Sequence, residues 1–265
     1  MKKSYKHIGT CIFCRKSEPD VTFWKRPHTL PKTMGGRTIG FDICDDCNFF
    51  FGTIDKSIQP HLSVEVCLKE ILNVTKYLTD MWHAQIEGLE ALPILDSIYF
   101  SIYQKENRIK FRKSFASTLS FVRVCTRCFK RGLYEIFLQE YHRQTKDGLN
   151  PQFDAIRRFA RYNEGDIPVW HMQYNRGIHF CVDESDGPLV PINDKALNEI
   201  RDYGMFSLCL RGFWFYLAVT PMAYEKGMIY LKRENDARST WVFRGIERLD
   251  DIHQIDFTLS RFNRL

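Results

Sequence analysis

The 265-residue chain is 44% hydrophobic and 14% aromatic, which supplies a core and excludes a disordered polymer. No run approaches the ~18 apolar residues of a membrane-spanning helix, and the basic start Met1-Lys2-Lys3-Ser4 has no apolar stretch behind it to make a secretory signal. A formal net charge of +6 points toward polyanions, so a cytoplasmic, reduced protein with no membrane partner is expected.

The first segment holds Cys11-Ile12-Phe13-Cys14 and Cys44-Asp45-Asp46-Cys47. Two C-x-x-C knuckles separated by a loop of this length are a strong signal for a tetrahedral, four-thiolate structural zinc site. Between them, residues 21–24 read as a short strand. Pro27-His28-Thr29-Leu30-Pro31 leads to a Gly35-Gly36 turn, and residues 38–43 read as a returning strand. Asn48-Phe49-Phe50-Phe51-Gly52 then begins a short helix. So few apolar residues cannot fold alone, and zinc is expected to supply much of the stability. The boundary of this module is placed at 1–57, followed by an α+β domain over 58–265.

Beyond the module, Val64, Leu68, Ile71 and Leu72 recur at helical spacing over 61–80. Residues 98–103 and 108–111 flank Gln104-Lys105-Glu106-Asn107 as a β-hairpin. A long helix follows with Phe115, Leu119, Val122, Cys125, Phe129, Leu133 and Ile136 on one face, and another lies near 151–162. After Gly165 and Pro168 the pattern predicts antiparallel strands at 205–219, 228–232, 240–244 and 254–259, with Gly212 marking a bulge or turn. The fold class is therefore α+β, a small zinc-stabilised module followed by helices and then antiparallel strands. The spare thiols Cys67, Cys125, Cys128, Cys181 and Cys209 are read as buried small hydrophobes, and Trp24, Trp170 and Trp214 as core.

The series Cys11-x-x-Cys14, His28-Thr29-Leu30-Pro31-Lys32-Thr33-Met34-Gly35-Gly36 and Cys44-x-x-Cys47-Asn48-x-x-x-Gly52 resembles the four-Cys branch of the HNH (ββα-metal) endonuclease family. The resemblance implies a phosphodiester hydrolase in which His28 is the general base and Asn48 ligates a catalytic divalent cation, Mg²⁺ or Mn²⁺. Zinc on Cys11, Cys14, Cys44 and Cys47 would be structural only, because a closed four-thiolate site has no open position. By family analogy the partner is DNA and the setting restriction, phage defence or mobile elements; a homodimer is left open.

One position departs from the family pattern. Many members carry Asp or Glu directly before the His as a metal ligand, whereas here it is Pro27, preceded by Lys25 and Arg26. Three arrangements are open: a substitute carboxylate (Asp42 or Asp55 first, Asp46 next), water in the vacant position, or a degenerate module. Asn48 also has a plainer reading as a helix N-cap.

Basic charge is concentrated in two segments. Residues 1–57 hold ten Lys/Arg against six Asp/Glu, and residues 105–131 hold Lys105, Arg108, Lys110, Arg112, Lys113, Arg123, Arg127, Lys130 and Arg131 against Glu106 alone. The second set is the candidate phosphate-backbone clamp. The rival reading is a non-catalytic, zinc-dependent nucleic-acid-binding or regulatory protein.

Overall fold

The computed structural model describes residues 3–56, 61–88, 96–103, 108–116, 119–174, 190–238, 240 and 243–255. The chain is α+β, an N-terminal Cys-cluster segment followed by helices and two antiparallel sheets. The N-terminal segment contains the short helix α1 (Asp45–Gly52). Helix α2 (Val64–Ile86) and the hairpin β1 (Phe100–Tyr103) and β2 (Arg108–Phe111) come next. They lead to α3 (Lys113–Ala116), the long α4 (Leu119–Thr145) and α5 (Asp154–Tyr162). Strand β3 (Val169–Tyr174), helix α6 (Asp194–Tyr203), β4 (Met205–Leu210), β5 (Phe213–Ala218), α7 (Met222–Arg238) and β6 (Phe243–Arg248) complete the elements. The four-stranded sheet has the order β4-β5-β3-β6.

Helix α4 is the axis of the molecule. Residues 128–142 are buried around the full circumference, because α2 and α5 pack on it and the sheet covers another side. Phe129 meets Phe215 of β5 edge-on at 5.5 Å, and Phe137 meets Phe206 of β4 at 5.0 Å. One continuous apolar core runs from Cys11 to Ile255 and includes Cys67, Cys125 and Cys128. Glycine is required where α6 gives way to β4: Gly204 has φ +68°, and a Cβ there would lie 2.3 Å from the Ala223 amide nitrogen.

Several elements differ from the sequence expectation. The strands expected at 21–24 and 38–43 shrink to a single antiparallel bridge, His28 to Ile39. Pro27 and Pro31 remove donors that a longer ladder needs. Segment 205–219, by contrast, is as expected broken at Gly212, as two strands folded at Arg211-Gly212. Segment 228–232 lies inside α7, where Tyr230 and Leu231 turn inward while Met228 and Ile229 are 70% and 61% exposed. A four-residue apolar run does not separate helix from strand by periodicity. Helix α6 had no expected counterpart. Strand 240–244 is displaced to β6. Of 254–259, only Gln254 and Ile255 are described, and they close a 3-10 turn. Trp24 is exposed, not core, and Trp170 and Trp214 are half-buried.

Candidate nuclease site

The Sγ atoms of Cys11, Cys14, Cys44 and Cys47 all lie within 4.8 Å of one another. Cys14 and Cys44 are 3.7 Å apart, matching the roughly 3.8 Å that bonds of about 2.3 Å give across a zinc tetrahedron. Contacts between the sulfurs drive Cys11 and Cys47 toward the thiol and Cys14 and Cys44 toward the thiolate. Sulfurs this close ionise together only around a cation, so the donor set fits zinc. Cys44 is the N-cap of α1, its sulfur accepting from the Cys47 amide at 3.5 Å. Cys11 Sγ accepts from the Cys44 amide at 3.4 Å. The cluster thus pins the first turn of α1 against the first knuckle.

The His28 loop is closed by its own backbone. Thr29 N donates to Thr38 O at 3.1 Å and Gly40 N to Pro27 O at 3.0 Å, bracketing the His28–Ile39 bridge. The loop passes through a 3-10 turn (Lys32–Met34) to Gly35 and Gly36. A Cβ on Gly36 would stand 2.1 Å from Leu30 O, so only glycine closes the turn. From the β4–β5 turn, Arg211 Nη2 donates to Met34 O at 2.8 Å. His28 is half-buried. Burial foremost, then the charges of Arg26 and Lys32, hold its imidazole below the usual 6.5. Asn48 sits in the first turn of α1 and is not the cap, since Cys44 takes that role. Among the described residues, neither the His28 ring nor the Asn48 amide is tied up in a hydrogen bond.

The carboxylates nominated to replace the missing acidic ligand are committed elsewhere. Asp42 is fully buried and accepts from the backbone amides of His7, Ile8 and Gly9 and from His142 Nε2 at 3.0 Å. Burial raises its carboxyl, but the hydrogen bonds from His142 and then Gly9, Ile8 and His7 outweigh it and hold it at about 2. His142 Nδ1 accepts from Gly148 N, so its proton is on Nε2 and points at Asp42. Asp55 pairs with Arg131 Nη1 at 3.1 Å. Only Asp46 remains exposed, while Asp45 accepts from Thr22 Oγ1 and Lys25 N.

The basic segment divides. Arg131 has no exposed surface and bonds Asp55 and Ala160 O. Lys130 is buried against Asp166 at 3.2 Å, and Arg127 bonds Asn163 and Gly165 O. These three hold α5 and its following loop to α4. Lys130 and Arg131 are not a phosphate clamp, because the central helix leaves them no solvent face, and half-buried Arg127 is turned to the backbone after α5. Arg112, Lys113 and Arg123 are exposed, and half-buried Lys110 lies over the Tyr103 ring. Arg108 is on β2 with its side chain undescribed, and Lys105 lies outside the described residues.

Sequence reasoning missed the groups that brace the site from afar. Arg161 on α5 donates Nε to Cys47 Sγ at 3.4 Å and covers the Phe50 ring at 3.8 Å. Arg157 bonds Ile12 O and Gly148 O. A stripe of polar residues at i, i+4 and i+8 on α4, namely Arg131, Glu135 and Gln139, is buried at the helix centre. Polar residues embedded in an otherwise apolar helical run were the available signal.

Residues 11–63 match the family model described as HNH endonuclease. The match encloses the four sulfurs, His28 and Asn48, and it defines a nuclease-type module whose Cys cluster fits a zinc site. No curated protein and no solved structure matches the chain. No helix among the described residues is long and apolar enough to cross a membrane.

Proposed function

We propose that the module hydrolyses DNA phosphodiester bonds with His28 as general base. What supports this is the presence of the two chemistry-bearing residues within the matched segment: His28 at the bridge to Ile39 and Asn48 in the first turn of α1, the helix that the sulfur cluster pins. His28, kept neutral by burial and neighbouring cations, takes a proton from the attacking water. Asn48 offers its amide oxygen to a divalent cation, Mg²⁺ or Mn²⁺, whose chemistry is to neutralise charge on the phosphate. Lys110, Arg112, Lys113 and Arg123, with Arg108 and Lys105 of the same basic segment of sequence, meet backbone phosphates in a salt-dependent way.

Supercoiled plasmid with Mg²⁺ or Mn²⁺ tests the reading. Both His28→Ala and Asn48→Ala should retain zinc and slow nicking, His28→Ala by at least about a hundredfold, the lower bound for removing a general acid–base group. Nicking that survives His28→Ala refutes the assigned base. A second reading has its own support: Pro27 offers no ligand, and Asp42 and Asp55 are both engaged. On that reading the module binds DNA without cutting, and wild-type protein shifts the plasmid in a gel but never nicks it.

A further inference from the structure

Beneath the His28 hairpin, α4 and the hairpin bring oxygen atoms together with too few donors, and α2 lies against α4 beside them, Leu68 reaching 3.3 Å from where a Cβ on Gly132 would stand. Glu135 and Gln139 of α4 are each 3% exposed. Gln139 Nε2 donates to Glu135 Oε1 at 2.8 Å, which leaves Glu135 Oε2 and Gln139 Oε1 unpartnered. The Gln139 oxygen lies 3.2 Å from where a Cβ on Gly40 would stand, and the Thr29 methyl 3.5 Å from the same point. Thr29 Oγ1 is buried and unpartnered too. From the first turn of α2, Glu65 brings Oε2 to 3.4 Å from the Cβ position of Gly52, one helical turn beyond Asn48 on α1.

The charges point the same way. Burial raises Glu65 to about 7. Burial and then the charge of Glu65 drive Glu135 well above the carboxylate range, against the pull of Arg131. Arg131 is already neutralised by Asp55. A proton shared between the two glutamates would remove one charge and leave the amide oxygen unpaired. A hard divalent cation takes six or more oxygens at once and tolerates water among them.

We propose that Glu65, Glu135 and the Gln139 amide oxygen hold a hard divalent cation beside Asn48, so that α2 and α4 supply the carboxylates missing at Pro27. The buried pair forms the floor and half-exposed Glu65 the rim. The proposal deepens the nuclease reading and rests on it only for the use made of the cation.

The test is Mn²⁺ titration of the full-length, zinc-loaded chain, following the free aqua ion by electron paramagnetic resonance. Wild type should bind Mn²⁺ beyond its zinc. Glu65→Gln and Glu135→Gln should each weaken that binding at least about tenfold, the cost of disturbing even an outer partner of a metal ligand, with zinc content unchanged. Because a buried variant can fail to fold, the wild-type melting temperature is read as well, and Mn²⁺ should raise it. No rise, or affinity equal in both variants and wild type, overturns the site; a buried water or shared proton would produce that result. Glutamate-dependent Mn²⁺ binding without nicking upholds the site and removes the nuclease reading. Nicking with glutamate-independent Mn²⁺ binding does the reverse.

Discussion

His28 lies between two cations, Arg26 and Lys32, and is partly withdrawn from water, so protonating it is unfavourable three times over. A protonated ring has no lone pair to accept a proton from water. Its midpoint lies below 6.5, so as general base it stays competent through neutral pH, and cleavage is lost only as pH falls through that lower value. Initial nicking rates across pH 5 to 8 check this, and an acid limb centred above 7 contradicts it. The sulfur cluster was legible because its meaning is carried by short spacings, and the same stretch singled out His28 and Asn48 for test. The engagement of Asp42 was not, because its partner His142 is a hundred positions away. A carboxylate held at about 2 by four hydrogen-bonding groups is a structural anchor, whatever its distance in sequence from His28.

Helix α4 is where element-level reasoning changes most. Its apolar face from Cys125 to Ile136 was readable from periodicity, but Leu119, expected on that face, is 90% exposed, and Phe115 belongs to α3. Its opposite face was assigned to phosphate, yet Lys130 and Arg131 are sealed under α5 and the Asp55 segment. A helix buried all round keeps charged residues only when each has a partner. Arg131→Ala should therefore cost about 3–5 kcal/mol, the usual penalty for leaving a buried charge unpaired. Urea denaturation with zinc in excess measures it; a loss below 1 kcal/mol would return Arg131 to a surface role. The same context decided α7. Its Met228-Ile229-Tyr230-Leu231 run suits a strand locally, but only as a helix does it present Tyr230 and Leu231 to the core and Tyr230 Oη to Glu199 at 3.0 Å.

At the scale of the whole molecule, the sulfur cluster is coupled to everything behind it. Arg161 reaches Cys47, Arg157 reaches Ile12, Arg131 reaches Asp55, His142 reaches Asp42 and Arg211 reaches Met34. With a shared core beneath these bridges, stripping zinc should lower the stability of the entire chain in one cooperative step. Calorimetry with and without a strong chelator checks it. An unchanged transition for the helical and sheet region would show that 1–57 melts alone. The amino-acid sequence by itself determined the four-sulfur cluster and the α+β class and singled out His28 as the base to test, because ligand spacing and hydrophobic period are local properties of a chain. Tertiary structure alone decided which charges face water and which are braced inside, because burial depends on neighbours brought in from distant positions. That is why Glu65 of α2 comes to lie against Gly52, at the end of the helix that the sulfur cluster pins.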